Sequence, residues 1–192
     1  MTRPPECNIG FKEWAAVCEA LVAGRQTIIL RKGGIHEGRA RFRIEHREFW
    51  LYPTHFHQAA ESLTPDAAEF VARAAAIQPQ PGCVPLKCLA LVQEVHELTA
   101  EADALQLAGL HIWSDTTVRQ RFHYRRPGLF LLVARVFSRS TATSVDESAE
   151  MAGYKSWVSL PQPIGTAGLT PALDDVRFTA AIAAVQEAIG RW

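Results

Sequence analysis

Residues 129–138 read LFLLVARVFS, apolar at odd and even positions alike. An extended chain sends successive side chains to opposite faces, so a strand here must be covered on both sides and belongs in the middle of a sheet. Only Arg135 breaks the run. A charge at that place is costly unless it meets an acid such as Glu94 or an anionic ligand at a pocket floor. The sequence is compatible with both.

The rest of the chain supplies partners for such a strand. Residues 26–31, QTIILR, read as a strand closed by the pair Gly33-Gly34. Phe42, Ile44 and His46 alternate on one face, but Phe49 and Leu51 continue in the opposite phase. A slip of one residue would flip every side chain, so two strands, 41–46 and 49–53, are expected with a turn or bulge near Arg47-Glu48. Residues 85–96 and 155–160 are further strands, and the polar stretch 140–152 reads as a loop. Helices are expected at 11–22, where Phe11, Trp14, Ala15, Cys18, Leu21 and Val22 form one stripe, and from Thr64-Pro65 to about Ile77. Ser114-Asp115 caps a short third helix, and Thr170-Pro171 opens a last one. This order is neither a β-α-β alternation nor a sandwich. It predicts an α+β fold with a mixed, mostly antiparallel curved sheet or small barrel and helices outside. At 192 residues and 48% hydrophobic content, a single domain over 1–192 with its own core is the simplest expectation.

No run of 18 apolar residues occurs and the N-terminal residues carry no signal-like apolar core, so a cytoplasmic chain without membrane contact is expected. Cys7, Cys18, Cys83 and Cys88 sit singly and do not form a zinc knuckle. No cofactor is expected, and the sequence sets no oligomeric state. Net charge is zero, yet twelve of the 20 basic residues fall in two segments, 31–47 and 119–139. Such segregation gives a neutral protein a local positive field, the footprint of a polyanion-binding face, or else a pair of solvated strand faces. His111-Ile112-Trp113, Phe122-His123-Tyr124 and Trp157 interleave with the second segment, a composition suited to stacking bases and holding phosphates.

The stretch FWLYPTHFHQ, 49–58, carries the other candidate residues. His55 and His57 share one side of an extended chain and could ligate a metal, but nothing fixes a third ligand among His46, Glu37 and His36, so no metal site is expected. An acid/base reading would use Glu37, His46 and His57. No nucleophile elbow or phosphate-loop pattern accompanies them.

The segments LRKGGIHEG, FRIEHREFWLYPTHFHQ, HIWSD, RFHYR, LLVARVF and YKSWVSL, taken together, resemble a bacterial family known as domain of unknown function 1802. The resemblance runs from about Phe11 to Leu160. It marks Gly33, Gly34, Ile35, Glu37, His46, Leu51, Tyr52, Pro53, Thr54, His57 and Gln58 as signature positions and places His55 at a variable one. It assigns no reaction. Relatives that occur with restriction-endonuclease-like domains imply a nucleic-acid-linked setting, and the strand order is similar to PUA-type barrels with their ASCH and EVE domains. The expected function is a nucleic-acid-associated binding module. Its ligand residues would be Arg31, Lys32, Tyr52, Thr54, His57, Gln58, Trp113, Arg119, Tyr124 and Arg135. The alternatives are a small hydrolytic or nuclease-like enzyme using Glu37, His46 and His57, with or without a metal, and a protein-interaction module.

Overall fold

The computed structural model describes residues 3–32, 44–55, 60–77, 79–153 and 155–190. In chain order the elements are β1 (Glu6–Trp14), α1 (Ala15–Val22), β2 (Ile28–Arg31), β3 (Glu48–Thr54), α2 (Ala68–Ala76), β4 (Cys83–Leu98), α3 (Glu101–Gln106), α4 (Asp115–His123), β5 (Leu129–Asp146), α5 (Ala149–Ala152), β6 (Trp157–Gly165), β7 (Thr170–Pro171) and α6 (Asp175–Ala188). The strands form one sheet in the order β2-β5-β4-β3-β1-β6, with β7 also on β5. The doubly apolar strand is central, as its sequence requires: residues 129–134 of β5 are all buried. The β1–β3 pair is parallel and the other pairs are antiparallel. The fold is α+β, and the curved sheet stays open rather than closing as a barrel among the described residues.

Curvature comes from the two longest strands. The β4–β5 ladder breaks register between Leu86 and Cys88 and again between Val92 and Glu94. An extra residue bends and twists a strand and changes which face its side chains take. Accordingly Cys88, Ala90 and Val92 join the large core, whereas Val84, Leu86, Leu89 and Leu91 join a second cluster around Trp50 and Tyr52. On β3, Phe49 and Leu51 point to the first cluster and Trp50 and Tyr52 to the second, so both faces of the sheet are covered.

Several local expectations yield to tertiary pairing. Residues 11–14 are strand, not helix: Phe11 and Trp14 end β1, and helix begins only at Ala15. Their spacing of three fits a helical face, and hydrogen bonding to β3 and β6 overrides it. Helix α1 is buried over Ala15–Leu21, not along one stripe. Residues 44–46 lie outside any strand, and 41–43 fall outside the described residues. The polar stretch 140–146, expected as loop, extends β5 against the start of β4. Helix α3 has no counterpart in the sequence reading. Thr170-Pro171 does not open the last helix but pairs with β5. Asp174 caps α6 instead, accepting from the Arg177 amide at 2.8 Å. Ser114 does cap α4, accepting from Thr117 N at 3.3 Å.

One buried group makes stability pH-dependent. His111 is 1% exposed; its Nδ1 accepts from the Trp113 amide at 3.1 Å, and among the described residues its Nε2 has no partner. Burial, the largest cause, pushes its pKa down to about 4. A proton on this ring therefore favours the unfolded chain. The stabilisation is complete above about pH 6.5, the unfolded value, and is lost as pH falls toward 4. Between pH 7 and pH 5 it should amount to about 2 kcal/mol. Chemical denaturation at both values should show a smaller loss in His111→Asn, which keeps the acceptor but cannot charge. Equal losses in the two proteins would remove His111 as the cause.

Candidate functional site

Where β1 passes into α1, the ends of β3 and β4, the middle of β5 and the segment from Glu147 to Ser156 enclose a cavity of about 740 Å³. That is the size of a small-molecule or nucleotide pocket. Among the described residues its charged lining is Lys12, Glu13, Glu19, Arg31, Lys87, Arg121, Glu147 and Lys155. Five cations thus face three carboxylates in a chain whose net charge is zero.

Each carboxylate is engaged. Glu13, 2% exposed, accepts from the Trp14 amide at 2.8 Å through Oε1 and faces Arg31 at 3.4 Å through Oε2. Glu19 holds Lys87 at 2.6 Å. Glu147 accepts from the Tyr52 hydroxyl; burial, with the carboxylate beside it, raises the phenol pKa well above its ordinary value. Lys12 donates to Gly153 O at 2.5 Å and lies 5.3 Å from the Tyr52 ring centre; burial lowers its pKa. Thr54 Oγ1 donates to Glu13 O at 3.1 Å. Arg31 donates to Ser156 Oγ at 2.6 Å and to Lys12 O at 3.3 Å, and its guanidinium covers the Phe11 ring at 4.5 Å.

Arg121 is different. It projects from α4 onto the ring of Trp113, 3.7 Å from its centroid, with Trp14 at 5.4 Å. Those two indoles pack on each other at 4.5 Å. Among the described residues no hydrogen-bond acceptor or ion-pair partner takes the Arg121 guanidinium; Glu13 acts on it only through space. Burial lowers its pKa to about 10, so it stays charged at neutral pH. Aromatic faces satisfy a cation electrostatically but leave its in-plane N–H donors unused.

Of the residues singled out from sequence, Arg31, Tyr52, Thr54 and His55 line this cavity, and Trp113 lies under Arg121. The others are placed elsewhere. Lys32 donates to the carbonyls of Phe122, Arg126 and Gly128, closing the end of α4. Arg119 pairs with Glu101 at 2.5 Å, and His123 meets the same carboxylate, tying α3 to α4 at the surface. Tyr124 is exposed, with Arg125 over its ring at 4.9 Å. Arg135 meets Asp175 and lies over Phe137 and Phe178, beside a different and smaller cavity under α6. His46 sits edge-on to Trp157 at 5.4 Å, outside the cavity lining. Glu37, His57 and Gln58 lie outside the described residues, as do Gly33, Gly34, Ile35 and His36.

Lys12, Glu13, Lys87, Arg121 and Glu147 were not foreseen. Only Arg121 had a signal, as a member of the second basic segment beside an aromatic. Among the described residues no three His, Cys, Asp or Glu side chains gather as metal ligands. All four cysteines are free. Burial raises the thiols of Cys18 and Cys88, the latter to about 12, so these two at the cavity wall are poor nucleophiles. No helix among the described residues is long and apolar enough to cross a membrane.

The family model Domain of unknown function (DUF1802) matches residues 10–184. The chain belongs to this family. The match runs from the middle of β1 through most of α6, so every described wall of the cavity lies inside the DUF1802 region. No curated protein matches the chain in sequence. Among solved structures, a serine-to-alanine variant of the ASCH protein from Zymomonas mobilis is 12% identical, with a TM-score of 0.44 over 94% of this chain and 97% of that one. The ASCH structure from the same organism, also 12% identical, gives 0.42 over 92% and 93%.

Proposed function

We propose that this DUF1802 chain is a nucleic-acid-associated binding module and that the cavity between β1, β3, β4 and β5 takes part of the nucleic acid. The observation that carries the reading is the composition of that cavity. Among the described residues cations exceed carboxylates along its lining while the chain as a whole is neutral, and one cation with no acid of its own, Arg121, rests on aromatic faces. Guanidinium groups match phosphate geometry, and an aromatic floor beside them holds them in orientation without neutralising them. Tyr52, Thr54 and His55 at the end of β3 add polar groups at the rim, suited to a planar polar ligand such as a base. Among the described residues, the basic charge read from the sequence enters this site through Arg31 of one segment and Arg121 of the other.

Binding of short single- and double-stranded DNA and RNA, followed by fluorescence anisotropy at about 50 and about 200 mM salt, tests the reading. Affinity should fall steeply with salt, by the slope expected for a few phosphates neutralised. Arg121→Gln should weaken binding and flatten that slope by roughly one phosphate. Salt-independent binding, or none to any of the four, would sink the proposal.

A further inference from the structure

We infer that the corner of the cavity formed by Arg31 and Arg121 is a subsite for a phosphate monoester at the end of a nucleic-acid strand; the inference rests on the nucleic-acid reading given above and sharpens it. Three features of the corner lead there. The first is charge. Two guanidinium groups share a single carboxylate, Glu13, which already accepts from the Trp14 amide and faces Arg31 at 3.4 Å. One positive charge is left over, and it resides on Arg121. The second is donor geometry. Arg31 spends its N–H groups on Ser156 Oγ, Lys12 O and Glu13. Arg121 spends none on any described residue, and its plane is set by the indoles of Trp113 and Trp14. A held guanidinium with open donors fits an oxyanion with several equivalent oxygens, in two parallel hydrogen bonds.

The third feature is access. Trp113 is 1% exposed and Trp14 half-buried, and together they close the corner on the side of α4 and the start of α1. A phosphate within a strand carries chain on both sides and so needs two open paths to the corner. A terminal monoester needs only one path. It also brings close to two negative charges at neutral pH, against one for a diester, and so answers the unpaired cation better.

The decisive measurement compares one single-stranded oligonucleotide in three forms, with a 5′-phosphate, with a 3′-phosphate and with hydroxyls at both ends, on the wild-type chain. One phosphorylated form should bind about tenfold or more tighter than the hydroxyl form, the effect of gaining charge-assisted hydrogen bonds. Arg121→Gln should abolish that preference, because it weakens the phosphorylated form about tenfold more than it weakens the hydroxyl form. Thermal melting shows whether this variant is folded; if it is not, Arg121→Lys, which keeps the charge without the planar fork, should reduce the preference instead. Equal affinity for all three forms overturns the subsite and leaves the nucleic-acid reading standing. Absence of salt-dependent binding by every form overturns both. A preference unchanged in a folded Arg121 variant places the phosphate elsewhere and also overturns the inference. A nucleoside monophosphate, added as competitor, should bind far more weakly than the phosphorylated strand; equal affinity would make the source a free nucleotide and refute the strand end.

Discussion

Replacing Trp50 with alanine should lower stability by about 3–5 kcal/mol. The side chain is fully buried and is among the largest in the core. It stands on β3 between Gly10 of β1 and Leu89 of β4, so its ring is shared by three strands. Its Nε1 donates to Cys7 O at 3.1 Å, where the register of β1 against β6 shifts. Removing it opens a cavity in the second cluster and orphans a carbonyl at a bulge, two costs that add. The absence of a side chain at Gly10 contributes to the same packing: a Cβ there would lie 2.7 Å from Val158 Cγ2. Trp50→Phe keeps most of the volume and loses the hydrogen bond, so it should cost about 1–2 kcal/mol. Urea denaturation of both variants checks the pair. A loss below about 1 kcal/mol for Trp50→Ala would mean that this face of the sheet is not a core.

The second large effect belongs to Glu13. Its carboxylate is buried, answers Arg31 and the Trp14 amide, and lies where strand turns into helix. Glu13→Ala leaves a partly buried guanidinium and an amide without their acceptor, and should cost about 3–5 kcal/mol. Adding Arg31→Leu to Glu13→Leu should return a good part of that loss, since the penalty comes from the uncompensated charge and not from the missing pair. Binding should move the opposite way. With Glu13 neutralised as Gln, the Arg31–Arg121 corner gains a full positive charge, and affinity for a phosphorylated oligonucleotide should rise while stability falls. Denaturation and anisotropy on the same Glu13→Gln sample separate the two effects. A fall in both would show that Glu13 shapes the corner rather than setting its charge.

What could be read in the sequence follows from what local chemistry decides. The central strand was legible because a run apolar on both faces has few other solutions, and the α4 start was legible because Ser114-Asp115 is a complete local cap. The cap at Thr170-Pro171 was equally complete, yet the chain there pairs with β5: a two-residue ladder and the buried Leu169 and Leu173 on either side outweigh a cap of about 1 kcal/mol. The strand at 140–146 escaped notice because polar residues carry no period-2 hydrophobic signal when their support comes from hydrogen bonds to β4.

The site divides in the same way. Tyr52, Thr54 and His55 could be named because a strand ending in Tyr-Pro-Thr-His delivers polar groups wherever the strand happens to lie. Arg31 and Arg121 belong to different basic segments, and nothing local says that these two meet while Lys32, Arg119 and Arg135 turn to carbonyls and acids elsewhere. By itself the sequence determined that basic and aromatic residues would be concentrated, and that a central strand would organise the sheet. Only the tertiary structure decided which of these arginines spends no donor on a described residue. A side chain's partners depend on what the fold brings within about 3 Å of it, and residues ninety apart in the chain have no local physics in common.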